Sequence, residues 1–341
     1  MRIFRHFQDV PALLRGSVVA VGNFDGVHLG HKALIGEAAR QAHAAGKPLA
    51  VLAFEPHPQE YFNILKQGGH PPAMSQAGGP SPAGGESFRL TPLRTKARLI
   101  AELDADVFFA LPFDAAMASR PAPDFVHDVL VNGLGVSGIV VGEDFVFGKG
   151  RGGNLQTLKD EGAAQGFTVT AFHTVLATAG EKISSTRIRE ALKAARPGEA
   201  ARLLGRHWAV EARVEHGDGR GRTMGFPTAN MHLGHCLAPA FGVYAVRAAI
   251  VENDQVIGRH DGVANFGIRP MYQVTVPLME AHLFDFDGDL YGKHLSVELV
   301  DYVRPEASFS GLPALIAQIA EDCQTARQIL ARTPRLPALN G

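Results

Sequence analysis

Long hydrophobic runs are missing from this sequence. No apolar stretch reaches the roughly 20 residues needed to span a bilayer, so no transmembrane helix is expected. A surplus of charge is missing too: 33 Lys and Arg stand against 34 Asp and Glu, a formal net charge of −1. That balance leaves no electrostatic footprint for nucleic acid or for an anionic membrane surface. Cysteine is scarce. Cys236 and Cys323 lie far apart without C-x-x-C spacing, which argues against a disulfide framework and fits a reducing cytoplasm. The N-terminal "MRIFRHFQDVPALLRG" carries basic residues but no apolar segment and no small-residue cleavage site, so no secretion signal is expected.

What is present is enough for two cores. The chain has 341 residues, more than the roughly 100 to 200 of one typical domain. Its first half alternates short apolar runs with helical periodicity. Strands are expected at 17–24, 48–56, 106–113, 137–145 and 167–175, with helices at 31–47, 91–105, 122–135 and about 154–165 between them. Thr91 is expected to cap the second of these helices, with Pro92 in its first turn. This alternation predicts an α/β doubly wound parallel sheet with ligands at the carboxyl ends of its strands. The stretch "KQGGHPPAMSQAGGPSPAGGES" (66–87) reads as a flexible insertion without packed structure. After a helical connector broken at Pro197-Gly198, short turn-separated strand patterns take over, predicting an all-β barrel or sandwich closed by an amphipathic helix at 312–331.

The tetrapeptide HLGH occurs twice, at 28–31 and at 232–235. The first copy follows an expected strand and opens an expected helix, in "VAVGNFDGVHLGHKALI". A helix N-terminus offers free N–H groups and a partial positive charge to phosphate oxygens. Gly26 and Gly30 allow close backbone approach, and His28 and His31, one turn apart, can both donate to one phosphate chain. A zinc pair would need a third ligand, and none stands at metal-site spacing. The second copy has no such turn before it and no helix after it, and is expected to be an ordinary loop between two strands.

"GNFDGVHLGH" resembles the signature of the HxGH nucleotidyltransferases, specifically the FMN adenylyltransferase domain of bacterial bifunctional riboflavin kinase/FAD synthetases. The resemblance continues through "FEPHP", "RLTPLRTKARLIAEL", "LPF", "VVGEDFVFGKGRGGN" and "ISSTRIR". It implies a Rossmann-like domain over 1–188 that binds ATP through Gly22, Phe24, Asp25, Gly26, His28, His31, Ser184, Ser185, Thr186 and Arg189, with Arg187 nearby. His28 and His31 would be catalytic, and flavin would meet Phe54, Pro56 and Asp144. The insertion lies outside the family's pattern.

In the second half, "GDGRGRTMGFPTANM" combines a glycine-rich loop with a Thr228 hydroxyl and an Asn230 amide, donors suited to Mg²⁺ or a phosphate-bound water. Together with "GVYAVRA", "GVANFGIRP" and "LMEAHLFDFDGDLYGKHLSVELV" it resembles the riboflavin kinase domain, a Greek-key β-barrel with a C-terminal helix, here expected over 207–335 after a connector at 189–206. The resemblance implies Glu280 as general base for the riboflavin 5′-hydroxyl. Gly219, Arg222, Gly225, Pro227, Thr228 and Asn230 would bind ATP, and Thr228 and Asn230 would hold Mg²⁺. A departure follows "GIRP", where "MYQVTVPL" stands instead of an immediate Thr. The expected protein makes FMN from riboflavin and ATP, then FAD and pyrophosphate from FMN and a second ATP. It would act in the cytoplasm on these small molecules, without nucleic acid or membrane, as a monomer or weak homo-oligomer.

Overall fold

The computed structural model describes residues 1–69, 87–173, 175–176, 180–217, 220–252, 255–271 and 274–336. These fall into two units, one of residues 1–69 and 91–184, the other of residues 87–90 and 185–336. Most of the insertion at 66–87 lies outside the described residues.

The first unit is a six-stranded, wholly parallel sheet in the order β1-β4-β3-β2-β5-β6. Its strands are β1 (Arg2–Phe4), β2 (Val18–Val21), β3 (Leu49–Glu55), β4 (Val107–Pro112), β5 (Gly138–Gly142) and β6 (Thr168–Phe172). The five expected strands are all present. The edge strand β1 is an addition to these: three residues, one of them polar, are too few to show periodicity, and pairing with β4 makes them a strand. Helices α1 (Leu29–Ala45), α2 (Pro58–Lys66), α3 (Leu93–Ala101) and α4 (Leu155–Gln165) accompany the sheet. Central strands are buried throughout, as parallel strands covered on both faces must be. α1 ends where expected, at Gly46 in the left-handed conformation. The helix expected at 122–135 starts as Ala122–Asp124 and continues over Phe125–Leu134 with wider π-type turns.

From β2 the chain winds one way to β3 and β4, and later the other way from β5 to β6. β2 and β5 are neighbours, with Val18 beside Gly138. The order therefore reverses between them, and the crevice at their carboxyl ends is where open α/β sheets bind ligands.

The second unit begins with α5 (Ser185–Lys193) and α6 (Pro197–Leu204), broken where Pro197 forbids continuation. Its sheet is a curled antiparallel half-barrel in the order β7-β12-β9-β10-β11-β8. The strands are β7 (Trp208–Arg213), β8 (Ala229–His232), β9 (Gly242–Glu252), β10 (Gln255–Met271), β11 (Val274–Leu283) and β12 (His294–Arg304). Just past β7, the Glu215 N–H reaches the Asn230 carbonyl of β8 at 2.9 Å. β8 departs from expectation: "ANMH", lacking a strand pattern of its own, pairs with β11 instead of forming a loop. His232 of the second HLGH is thus a strand residue, while Leu233–His235 form the turn. The closing helix α7 (Leu312–Arg332) lays Ala326, Ile329 and Leu330 against Val243, Ala245, Val263 and Val300.

Residues 87–90 are stitched into this second unit. The Trp208 indole donates to the Leu90 carbonyl at 2.8 Å, the Leu237 N–H to the Arg89 carbonyl at 2.7 Å, and the Arg189 Nε to the Phe88 carbonyl at 2.7 Å.

Candidate active sites

In the first unit, residues 22–31 leave β2 and enter α1 at the switch point. Phe24, Gly26 and Val27 all have positive φ (49°, 86° and 41°), which turns the chain sharply before the helix. His28 is the helix N-cap, and its Nδ1 accepts the His31 N–H at 3.2 Å. With Nδ1 accepting this bond, a neutral His28 carries its proton on Nε2. The His28 and His31 rings stack at 3.6 Å and 13°, with Phe24 edge-on to His31 at 5.2 Å. Asp25 and His28 are buried, at 3% and 6% exposure. A Cβ built on Gly30 would lie 3.1 Å from the His28 ring and 3.7 Å from the Ile183 carbonyl oxygen. The same glycine therefore lets the histidine pair close and lets the backbone before Ser184 come alongside.

Asp144 sits two residues past β5, on the other side of the switch point, exposed and paired with Lys182 at 2.9 Å. Phe54, near the end of β3, is half-buried and meets Phe113 edge-on at 5.5 Å, while Pro56 beside it is buried. Tyr61 and Phe62 of α2 complete this aromatic group, each edge-on to Phe113 at 5.3 and 5.8 Å. Phe62 remains 44% exposed. Phe62 and Phe113 were not singled out from sequence, because neither α2 nor its approach to β4 is visible in a local pattern.

Ser185, Thr186 and Arg189 belong to α5 in the second unit, whereas Ser184 belongs to the first. Arg187 pairs with Glu199 of α6 at 3.1 Å, which gives it a structural partner the sequence did not disclose. The Arg189 guanidinium stacks over the Phe88 ring at 4.7 Å.

In the second unit, strand register assembles the other candidate site. Glu280 of β11 is the direct cross-strand partner of Asn230 on β8 and of Asn265 on β10. The three side chains therefore share one face of the sheet, with Cβ atoms about 5 Å apart from strand to strand. The opposite face carries the core residues Ala264, Phe266, Met279 and Met231. Asn230 is 7% exposed, and its Oδ1 is buried without a hydrogen-bond partner. A buried carbonyl oxygen left unpaired costs about 1–3 kcal/mol, which a ligand donor or a metal ion would offset. A side chain at Gly217 would overlap the Asn230 amide, so the glycine-rich loop can pass there only because residue 217 has none.

Thr228, two residues before Asn230, is half-buried on the same side of the extended chain. Pro227 fixes the approach, its carbonyl accepting from His282 Nδ1 at 2.8 Å. Gly225, at φ 84°, turns the chain, and Arg222 is exposed on the short helix Arg220–Thr223. Gly219 lies outside the described residues. The role of Asn265 is not legible in "GVANFGIRP" itself, since only the β10–β11 register places it beside Glu280.

Hard oxygen donors of this kind suit Mg²⁺. Among the described residues no group of three or more His, Cys, Asp or Glu is placed to hold a metal ion. In the second HLGH, His232 Nε2 stands 3.5 Å from Glu215, and the His235 carbonyl accepts from Ser87. Burial, then the neighbouring Arg247 charge, pushes His207 below the usual histidine range, and burial raises the Glu298 carboxyl above its own.

A parallel switch-point fold with a histidine-capped helix, joined to a curled β-unit bearing a carboxylate beside a glycine-rich loop, describes a phosphate-transferring enzyme with two separate centres. Comparison with known proteins makes this specific. The FAD synthetase family profile matches residues 10–187, and the riboflavin kinase profile matches residues 204–330. The chain belongs to the bifunctional riboflavin kinase/FMN adenylyltransferase family. Among its curated relatives, the Escherichia coli (strain K12) protein of that name is 39% identical, covering 98% of this chain and 99% of its own length. The Haemophilus influenzae protein of that name is 36% identical over 96% and 98%. A crystal structure from Streptococcus pneumoniae, described as a macrolide-efflux protein, superposes with a TM-score of 0.78 at 27% identity, covering 95% of this chain and 98% of that one. Efflux is that protein's description. Among the described residues here, no helix is long and apolar enough to cross a membrane.

Proposed function

We propose that the chain performs both reactions named by its family: ATP-dependent phosphorylation of riboflavin to FMN, and adenylylation of FMN to FAD with release of pyrophosphate. Kinase chemistry is assigned to residues 207–335, adenylyl transfer to 1–188, and 189–206 to the connector.

In the kinase centre Glu280 accepts the proton of the riboflavin 5′-hydroxyl as that oxygen bonds to the γ-phosphorus and ADP leaves. A carboxylate suffices, because phosphoryl transfer asks mainly for positioning and charge compensation. Thr228 and Asn230 would hold Mg²⁺, which neutralises phosphate charge when bound. Gly219, Arg222, Gly225 and Pro227 shape the loop around the phosphates. The observation that supports this assignment is the register that pairs Glu280 with Asn230, whose Oδ1 is buried without a hydrogen-bond partner.

In the adenylyl-transfer centre an FMN phosphate oxygen attacks the α-phosphorus of ATP, and the bond to pyrophosphate breaks. His28 Nε2 and His31 donate to the phosphates, Gly22, Phe24, Asp25 and Gly26 shape the turn, and Ser184, Ser185, Thr186 and Arg189 serve the leaving group. The flavin is held by Phe54, Pro56 and Asp144, with the aromatic group around Phe113 available for stacking. Its scarce cysteines fit a cytoplasmic protein and its balanced charge offers no footprint for nucleic acid; it would act as a monomer or weak homo-oligomer.

Incubation with riboflavin, ATP and Mg²⁺, followed by chromatographic separation of flavins, tests the assignment. FMN and then FAD are expected; formation of neither overturns it.

A further inference from the structure

Thr91 stands where a helix cap is expected, yet α3 takes Pro92 as its N-cap and makes no side-chain cap bond. Thr91 is instead 3% exposed and bonded to the turn that leads into α1. Its Oγ1 accepts the Gly26 N–H at 3.0 Å, its own N–H donates to Asp25 Oδ1 at 3.1 Å, and its hydroxyl reaches the same oxygen at 3.4 Å. The donors are mutually consistent: the hydroxyl proton points to the carboxylate, leaving lone pairs for the glycine amide.

The turn it grips is strained. Phe24 and Val27 are both at positive φ without being glycine, and Val27 is β-branched, the residue type least at home there. Such conformations persist only where surrounding structure over-determines them. The Val27 N–H reaches the Phe24 carbonyl at 3.2 Å within the turn, and Thr91 adds three bonds to Asp25 and Gly26 from 65 and 66 residues away. Immediately after Val27 comes His28, whose ring and cap depend on how this turn delivers it.

We propose that Thr91 is a positioning residue for adenylyl transfer. Through Asp25 and Gly26 it holds the left-handed turn at 24–27 in the conformation that presents His28 and the α1 N-terminus to ATP. This rests on reading the His28–His31 turn as the ATP-phosphate site.

The test uses the full-length protein and compares Thr91→Val, which keeps the shape and loses the hydroxyl, with Thr91→Ser, which keeps the hydroxyl. ATP KM and kcat are measured for FMN-to-FAD conversion, and FMN formation from riboflavin is followed in the same preparations. Thr91→Val should raise the ATP KM of FAD formation by about tenfold, because it takes one partner from each of two buried polar groups. Thr91→Ser should restore it, and FMN formation should be unchanged in both. A Thr91→Val protein with wild-type ATP KM and kcat overturns the proposal. So does a parallel loss of both activities, or a Thr91→Ser protein as defective as Thr91→Val. His28→Ala separates the two levels: if it keeps FAD formation, the phosphate-site reading itself fails, whatever Thr91 does.

Discussion

Asn230 and Glu280 are fifty positions apart in the chain and directly opposite one another across β8 and β11. Their pairing puts a candidate base next to an amide oxygen that is buried and unsatisfied. Glu280→Gln keeps the shape and removes the basicity, so FMN formation should fall by about 10²- to 10⁴-fold. FMN-to-FAD conversion should stay at the wild-type rate, since Glu280 belongs to the other centre. Separate assays with riboflavin and with FMN as substrate check both halves of this expectation.

Asn230→Ala should raise the Mg²⁺ concentration for half-maximal FMN formation by about tenfold or more, as loss of a metal-site partner does. The Mg²⁺ dependence of FAD formation should not move. A magnesium titration of each reaction reads the outcome directly, and equal shifts in both would remove Asn230 from the metal site.

His28 caps α1, its Nδ1 accepting the His31 N–H. His28→Ala should lower kcat of FAD formation by about 10²- to 10³-fold, the cost of losing one preorganised donor to developing charge. Gly30→Ala should act in the same direction, since its Cβ would lie 3.1 Å from the His28 ring. Neither should affect FMN formation in the riboflavin assay.

His207 is 7% exposed, and burial with the Arg247 charge lowers its pKa from the ordinary 6.5. The unfolded chain therefore binds a proton more readily than the folded one. The resulting stability is fully present above about pH 6.5 and declines as pH falls from there through the depressed folded value. Tm measured by thermal unfolding should drop from pH 7 to pH 5 more steeply in the wild type than in His207→Phe. Parallel Tm–pH curves would show that the group does not titrate on unfolding.

Much of this protein is legible locally. The alternation of apolar runs and helical periods gave five parallel strands, because a strand buried on both faces must be continuously apolar. The flanks of the two HLGH copies foretold their settings: the first lies between a strand and a helix, whereas no helix follows the second. The broken connector followed from Pro197, whose ring cannot sit inside a helix.

What only the tertiary structure decided involves partners distant in sequence. Arg2–Phe4 becomes a strand because β4 offers an edge, and "ANMH" because β11 does. Thr91 leaves its helix uncapped to grip Asp25 and Gly26, and Arg187 turns to Glu199. Asn265 joins Glu280 and Asn230 through register alone. The physical reason is common to all of them. Propensity, capping and periodicity act over a few residues, so they determine which segments become strands and helices. Hydrogen bonds and strand register between remote segments form only once those elements have packed, and they select which side chains meet.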